Sequence, residues 1–290
     1  MRNMICRGIM RHVKMIYKRA VSPELEDIMK KIVSIALTVA LMAAVVTGCG
    51  SDKGAAAGGA SGIDSAALAD GVLTVGTNAE FPPFEYLGDN GEPDGFDMAL
   101  IKAIGEELGV EVVVENMEFD SLVSAIGSKI DVAIAGMTVT DERKQSVDFS
   151  ESYYNAVQHV LVPIDSTIAT YDDLKGKTIG CQLGTTGDFI IEEIEGATSQ
   201  QYNKAVDAVN DLANGRLDAV IIDSNPAGVF ASKYPDKIKD LDGADFDFEI
   251  EEYAIALPKG DTALQEAVNV AIKKLKDNGT FDKLVDQYMQ

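Results

Sequence analysis

Short apolar runs alternate with amphipathic stretches from residue 71 to the end of the chain. Six of these runs, several of them apolar on both faces, predict β-strands at residues 73–77, 110–114, 130–137, 178–182, 217–223 and 253–257. Five stretches with helical spacing predict α-helices at residues 99–108, 120–127, 186–195, 205–214 and 262–276. This alternation indicates an α/β protein with mainly parallel sheet.

Ligands of open α/β sheets bind beyond the carboxyl ends of the strands, so the residues that follow each predicted strand indicate the site. The strand at 73–77 leads into Asn78, and the strand at 130–137 ends near Gly136. Gln182 closes the next strand and Asp223 the one after it. These exits hold aromatic residues, glycine–threonine turns, one arginine and one carboxylate, a combination that suits a zwitterion.

An α-amino acid is such a zwitterion. It needs a bidentate donor for its carboxylate, an acceptor for its ammonium and an apolar wall that excludes water. Arg143 would be the donor and Asp223 the acceptor, while Phe81 and Phe119 would form the wall. Free backbone amides in two turns would complete the hydrogen bonds of the carboxylate, at residues 136–138 and 184–186.

The amino-terminal segment has the pattern of an export signal. Two lysines at 30–31 precede an uncharged apolar run at 32–46, which is short for a membrane-spanning helix. Residues 46–49 (VTGC) resemble the lipobox of bacterial lipoproteins, in which the cysteine is lipidated and becomes the first mature residue. The alternative is an ordinary cleavage site with an incidental cysteine.

We therefore predict a signal peptide at 29–48 and a lipid anchor on Cys49 that holds the protein at the membrane outside the cytoplasm, at the cell surface or in the periplasm. A tether rich in glycine, alanine and serine follows at 49–70. Residues 1–28 do not fit this scheme, and our hypothesis is that translation starts at Met29.

Charge and cysteine content narrow the class of protein. The 290-residue chain has a net charge of −22, and without residues 1–48 it keeps 17 basic and 44 acidic side chains, a net charge of about −27. This acidity disfavours a nucleic-acid partner. Three cysteines are too few and too scattered for a disulfide framework or a zinc ribbon. We predict no metal and no cofactor.

Several motifs, in order along the chain, resemble the polar amino-acid family of extracellular solute-binding proteins of ATP-driven importers, family 3, in its lipoprotein form. They are residues 76–86 (GTNAEFPPFEY), 95–97 (GFD), 135–144 (AGMTVTDERK), 148–150 (DFS), 173–177 (DLKGK), 184–186 (GTT) and 278–280 (NGT). The resemblance extends from about residue 73 to residue 288.

The resemblance implies a type II periplasmic-binding-protein fold, with two α/β lobes that close over the ligand about two hinge strands. Lobe 1 would comprise residues 71–152 and 256–290, and lobe 2 residues 158–250. The hinge would lie at residues 153–157 and 251–255.

The resemblance also implies roles for individual residues. Arg143 would hold the ligand carboxylate with the Thr138 amide, while the Gly136 carbonyl and Asp223 would accept from the ammonium. Further contacts would come from Thr185 and Thr186 in lobe 2, from Asn78, Phe81 and Phe119 around the ligand side chain, and from Gln182 and Ile222, where relatives vary. Polar residues at positions 78, 80 and 182 favour a polar or basic ligand over an aliphatic one.

Each candidate has a simpler structural explanation. Arg143 could pair with Asp148, and Asp223 could cap the helix before Asn225. The remaining candidates could be plain core residues or turn formers: Phe81, Phe119, Asn78 and the turn at 184–186. Cys181 is predicted to be an inert buried thiol.

Two other functions stay open. The first is a binding-protein-like dehydratase of the cyclohexadienyl type, which would need a general acid, with Glu80 and His159 as the candidates. The second is a sensory ligand-binding module. The motifs favour a monomeric, non-enzymatic receptor that presents an amino acid to a membrane permease with a separate ATPase.

Overall fold

The computed structural model describes residues 63–289. The predicted start at Met29, the signal peptide, Cys49 and most of the tether lie outside the described residues. The last part of the tether differs from the expectation, because Leu68 is buried and the Ser65 hydroxyl donates to Asp261 at 2.6 Å. The folded part therefore begins before residue 71.

The described residues form fourteen strands and seven α-helices. The strands are β1 Val72–Thr77, β2 Glu80–Phe81, β3 Glu85–Leu87, β4 Pro93–Asp94, β5 Glu111–Asn116, β6 Val132–Ala133, β7 Val147–Phe149, β8 Tyr154–Pro163, β9 Thr178–Gln182, β10 Thr198–Tyr202, β11 Ala219–Asp223, β12 Ile238–Leu241, β13 Ile250–Tyr253 and β14 Ala256–Pro258. The helices are α1 Phe96–Leu108, α2 Leu122–Ala125, α3 Thr186–Glu193, α4 Ala205–Ala213, α5 Ser224–Lys233, α6 Thr262–Asp277 and α7 Thr280–Tyr288.

The first lobe is built on a five-stranded sheet in the order β5-β1-β6-β14-β7. Strand β1 is parallel to both of its neighbours, whereas β14 is antiparallel to both of its own. Helix α1 packs against α6 and α7. A small antiparallel sheet, β2-β3-β4, lies between β1 and α1 along the chain. Gly95 ends this small sheet at φ 123°, where a Cβ would lie 2.3 Å from the Phe84 carbonyl oxygen.

The second lobe is built on a sheet in the order β10-β9-β11-β8-β12. Strand β9 is parallel to β10 and β11, and β8 is antiparallel to β11 and β12. Helices α3 and α4 pack on β9, β10 and β11, and α5 packs on β8. Strand β11 is buried along its whole length, which explains its continuous apolar run Ala219–Ile222.

The chain passes between the lobes twice. It leaves the first sheet after β7 and enters the second through β8, and it returns through β13 into β14. Residues Tyr154–Val157 of β8 pair antiparallel with β13. These paired strands overlap most of the predicted hinge segments, whose role as a hinge stays a prediction.

The α/β fold class with two sheet-rich lobes is confirmed, but each sheet is mixed where mainly parallel sheet was expected. Each crossing of the chain adds one antiparallel strand, β8 to the second sheet and β14 to the first, and no local pattern signals that arrangement. The expected strand at 130–137 is reduced to the two residues of β6, and the one at 253–257 is divided between β13 and β14. The edge strands β10 and β12 were not predicted, because β10 has no buried residue and β12 has only one, Ile238.

Among residues 63–289, no helix is both long enough and apolar enough to cross a membrane.

Candidate functional site

Ten of the eleven residues predicted to contact the ligand line one cavity of about 20 Å³, and the eleventh, Ile222, does not line it. Lobe 1 contributes Asn78, Phe81, Phe119, Gly136, Thr138 and Arg143, and lobe 2 contributes Gln182, Thr185, Thr186 and Asp223. Glu85 and Ala135 complete the lining. The strand exits therefore converge as the sheet rule predicts, while the ligand-binding roles of these residues stay predictions.

The wall contributed by lobe 1 turns sharply at Gly136. Its φ is 52°, and a Cβ there would lie 3.0 Å from a ring carbon of Phe81. The expectation of free amides in the two turns is wrong at three positions. The Thr185 N–H donates to the Gln182 carbonyl at 3.4 Å. The Gly136 N–H donates to Asp97 at 2.8 Å, and the Gly184 N–H donates to Asp188 at 3.1 Å.

The Arg143 guanidinium joins the two lobes. It donates to the Thr138 carbonyl in its own lobe at 2.6 Å and to the Gly184 carbonyl of lobe 2 at 2.9 Å. Its central carbon lies 5.3 Å from the centroid of the Phe119 ring. Asp148 binds Lys259 instead, so the simpler explanation of Arg143 as its partner is not realised.

Arg143 is buried in an acidic neighbourhood. Burial lowers its pKa to about 10, while Glu251 and Asp223 act in the opposite direction. The guanidinium is therefore still a cation at neutral pH. A buried cation whose nearest partners are neutral carbonyls is a strong anion-binding group.

Glu251 on β13 was predicted only as part of the hinge, yet it joins side chains of both lobes. Its Oε2 accepts from the Thr138 hydroxyl at 2.5 Å and from the Thr186 hydroxyl at 2.7 Å. The acidic run around it has no local feature that separates Glu251 from Glu249 or Glu252. Only the strand register assigns it to this position.

Asp223 is a buried carboxyl at the end of β11. The Tyr253 hydroxyl donates to its Oδ1 at 2.5 Å. Burial and the charge of Glu251 raise the pKa of Asp223 to about 7, although the bond from Tyr253 opposes them. Asp223 precedes α5, but its side chain makes no capping hydrogen bond, so the helix-cap explanation fails.

Glu85 was not predicted at the site, although it lines the cavity and is fully buried. Burial, and then the charge of Asp97, raise its pKa well above the usual range. Burial also raises the pKa of Asp97 to about 6, although the Gly136 amide and the Tyr153 hydroxyl donate to it. A charged residue directly after the aromatic Phe84 was the only sequence signal for this acid.

Asn78 and Gln182 connect the lobes on another part of the cavity wall. The Gln182 Nε2 donates to the Asn78 Oδ1 at 2.8 Å and to the Asn203 carbonyl at 2.9 Å. Asn78 in turn donates to the Met117 carbonyl at 2.8 Å. Both amide side chains are buried, so they present fixed polar groups to the cavity.

Thr185 and Thr186 begin helix α3. The Thr185 hydroxyl accepts from the Asp188 amide at 3.4 Å as the helix N-cap, which agrees with the turn explanation for residues 184–186. Gln158 donates to the Thr186 hydroxyl at 3.1 Å. Thr185 therefore caps helix α3, and both threonines line the cavity.

The candidates for other chemistry lie outside the cavity lining. His159 on β8 contacts Asp240 at 2.8 Å, and Glu80 forms an ion pair with Lys204 of lobe 2 at 2.6 Å. Cys181 is buried beside Asp188, as predicted for an inert thiol. No cluster of potential metal ligands occurs among residues 63–289.

A wider groove of about 1130 Å³ runs along β13. Ile250 lines it and is 74% exposed. Arg143 and Asp223, the buried pair of opposite charges, line the small cavity and not this groove. The small cavity is therefore the candidate site.

Comparison with known proteins agrees with this geometry. The family model for bacterial extracellular solute-binding proteins, family 3, matches residues 73–290. The chain is 35% identical over 269 residues to a probable histidine-binding protein of Neisseria gonorrhoeae, which covers 90% of this chain and 96% of that protein. It is 37% identical over 256 residues to the arginine-binding extracellular protein ArtP of Bacillus subtilis, with 86% and 94% covered.

Among solved structures, an ancestral arginine-binding protein bound to arginine is 38% identical, with a TM-score of 0.72. The match covers 76% of this chain and 99% of that one. With the family model, the curated relatives and the two-lobed architecture in agreement, this chain belongs to the bacterial extracellular solute-binding proteins of family 3 and has the type II periplasmic-binding-protein fold.

Proposed function

We propose that this protein binds a free L-amino acid between its lobes, with the ligand carboxylate at Arg143 and the ammonium at Asp223. One observation carries the proposal: these two opposite charges come from different lobes and line the same cavity. Both side chains are buried, so each charge pair forms in a medium that screens it less than water does.

The carboxylate end of the proposed site has several donors. Two bonds to carbonyls orient the Arg143 fork and leave other guanidinium N–H groups for the ligand. The hydroxyls of Thr138 and Thr186 lie at the same end, where they now donate to Glu251. A ligand carboxylate would take these donors in place of Glu251, with Thr185 adding contacts from the second lobe.

The rest of the lining favours a polar or basic side chain. Asn78 and Gln182 supply fixed amide groups that can hydrogen-bond to such a side chain. Phe81 and Phe119 supply the apolar wall. Relatives named for arginine and for histidine agree with such a preference.

Binding would require the lobes to open and close. A cavity of about 20 Å³ holds roughly one water molecule, so an amino acid enters only when the cleft widens. We assign lobe 1 to residues 71–152 and 256–290 together with residues 65–70, which pack on it, lobe 2 to 158–250, and the hinge to 153–157 and 251–255. A ligand that bridges Arg143 and Asp223 makes its full set of contacts only in the closed state, so binding favours closure.

In the cell, the protein would deliver its ligand to an importer. Membership of an extracellular family supports a place outside the cytoplasm. We propose a lipid anchor at Cys49 and delivery, as a monomer, to a permease whose ATPase is a separate chain. Labelling with a radioactive fatty acid should mark the protein, and Cys49→Ala should remove the label and release the protein from membranes.

A calorimetric screen tests the ligand assignment. The purified protein is titrated with each of the twenty free amino acids, and polar or basic ones should bind with one site per chain. Mass spectrometry should recover the ligand unchanged, because Glu80 and His159 are both engaged outside the cavity lining. Turnover of a cyclohexadienyl acid would instead favour the dehydratase, and binding of no amino acid would refute the proposal.

A further inference from the structure

Glu85 is a buried acid without a counter-charge. No N–H or O–H group of the other described residues donates to either of its carboxyl oxygens or to Oδ1 of Asp97. The Glu85 and Asp97 carboxyl groups lie within hydrogen-bond range of each other, so they can pair only through a proton held by one of them. Both residues are fully buried, and Glu85 also lines the cavity. An unpaired carboxylate in such a place is strongly unfavourable, so the group holds a proton or receives a cation.

The surroundings of Glu85 show which end of the cavity it serves. Asp97 from α1, Asp223 from β11 and Tyr153 from the start of the crossing all interact with it electrostatically. Tyr253 of β13 contacts Asp223. The only cation lining the cavity is Arg143, which binds carbonyls of Thr138 and Gly184 and makes no ion pair with Glu85.

We propose that Glu85 is a second ammonium-binding carboxyl, and that the ligand's ammonium displaces a proton held by Glu85 and its acidic neighbours. The inference rests on the proposed function and deepens it. Asp223 and Glu85 line the same cavity and lie close enough for the charge of one to affect the other. An ammonium between them would replace the proton held by the Glu85–Asp97 pair and would donate to carboxyl oxygens that receive no hydrogen bond from an N–H or O–H group of another described residue.

The charge balance of this step is simple. A neutral Glu85 carboxyl gives up its proton to the solvent, and the positive charge of the ligand's ammonium replaces it in the cavity. Glu85 is the acid of the set that holds a proton at pH 7. Its pKa is raised well above the usual range, whereas burial raises the pKa of Asp97 only to about 6 and that of Asp223 to about 7. The three acids titrate together, so the released proton belongs to the set.

Calorimetry measures this release. Binding of L-arginine, and separately of L-glutamine, is titrated into the full-length protein at pH 7 in phosphate and in Tris, whose ionisation enthalpies differ. The difference in observed heat gives the protons released per ligand. We expect a release of between a few tenths of a proton and one proton for each ligand, because both carry the same α-ammonium.

The variant Glu85→Gln keeps the size of the side chain and removes its charge. We expect it to bind both ligands at least tenfold more weakly and to release fewer protons. Glu92→Gln is the matched control, since Glu92 is exposed on the loop before β4 of the same small sheet. The control should match the wild type in both measurements.

Each other outcome has a defined meaning. Equal affinity and equal proton release in Glu85→Gln would overturn the inference, as would a wild type that binds a ligand and releases no proton between pH 6 and pH 7.5, even where the variant does not fold. Weaker binding of arginine alone would place Glu85 at the ligand side chain and also overturn it. Failure of the wild type to bind any amino acid would refute the proposed function instead.

Discussion

The two ends of the cavity differ in how the protein treats their charges. At one end the protein itself provides partners for Arg143, in the carbonyls of Thr138 and Gly184. At the other end, Glu85 has only another acid, Asp97, within hydrogen-bond range of its carboxyl group, and burial raises the pKa of Asp223 to about 7. The cationic end is therefore oriented before a ligand arrives, whereas the acidic end depends on protons or on a ligand cation for its charge balance.

Of the changes at the two ends of the cavity, removal of the Arg143 guanidinium should weaken ligand binding most. Arg143→Ala should weaken amino-acid binding by about 3–5 kcal/mol, because a buried ligand carboxylate would lose its counter-charge. Calorimetry with L-arginine measures the loss. Arg216→Ala is the control, since Arg216 is an exposed arginine paired only with Asp211 on the surface. Retained affinity in Arg143→Ala would show that the carboxylate binds elsewhere.

Neutralising the acidic end should have a somewhat smaller effect. Asp223→Asn should cost about 2–4 kcal/mol of binding free energy, because Asn still accepts a hydrogen bond from the ammonium but without charge. The same titration with L-arginine measures it, and the exposed Asp282→Asn serves as the control. An unchanged affinity for Asp223→Asn would mean that the ammonium lies away from β11.

Stability without ligand should fall as the pH rises. The pKa values of Asp97 and Asp223 are raised by burial from about 4 to about 6 and about 7. The folded state therefore binds more protons than the unfolded state between these limits, and stability present at pH 4 is lost as the pH rises to 7. Each group should contribute on the order of 1 kcal/mol or more.

Urea unfolding at pH 5, 6, 7 and 8 measures this dependence. Asp223→Asn should flatten the curve, because an amide does not titrate, and it should stabilise the ligand-free protein at pH 8. A variant curve parallel to that of the wild type would show that Asp223 titrates normally in the folded protein. The acidic end would then resemble the cationic end, and the contrast between them would disappear.

The exposed ion pair between Lys204 and Glu80 should contribute least to the binding affinity. Lys204 of lobe 2 binds Glu80 of lobe 1 at 2.6 Å, but its side chain is 44% exposed. Lys204→Ala should change the affinity for L-arginine by roughly 0.2–1 kcal/mol, and less at high salt, because water and ions screen such pairs. Calorimetry at 0.05 and 0.5 M NaCl measures the difference. A salt-independent loss above about 2 kcal/mol would contradict the surface assignment.

Local pattern was sufficient for much of the fold. Strand β9 matches its predicted bounds, and the helices at α3, α4 and α6 match within two residues, because buried faces repeat at fixed spacing along these segments. The exits of β1, β9 and β11 supplied Asn78, Gln182 and Asp223 as candidates. Strand ends are local features, so the sheet rule could be applied without coordinates.

Tertiary structure alone decided the mixed sheets and the acidic side of the cavity. Glu251 contacts Thr138 across 113 residues of sequence, and Tyr253 reaches Asp223 across 30. Periodicity describes only which face of an element is buried, and it carries no information on which elements meet. The amino-acid sequence thus determined many of the elements and the opposite charges Arg143 and Asp223. Only the tertiary structure decided that Glu85 of β3 and Glu251 of β13 lie beside them, because that choice depends on packing between distant segments.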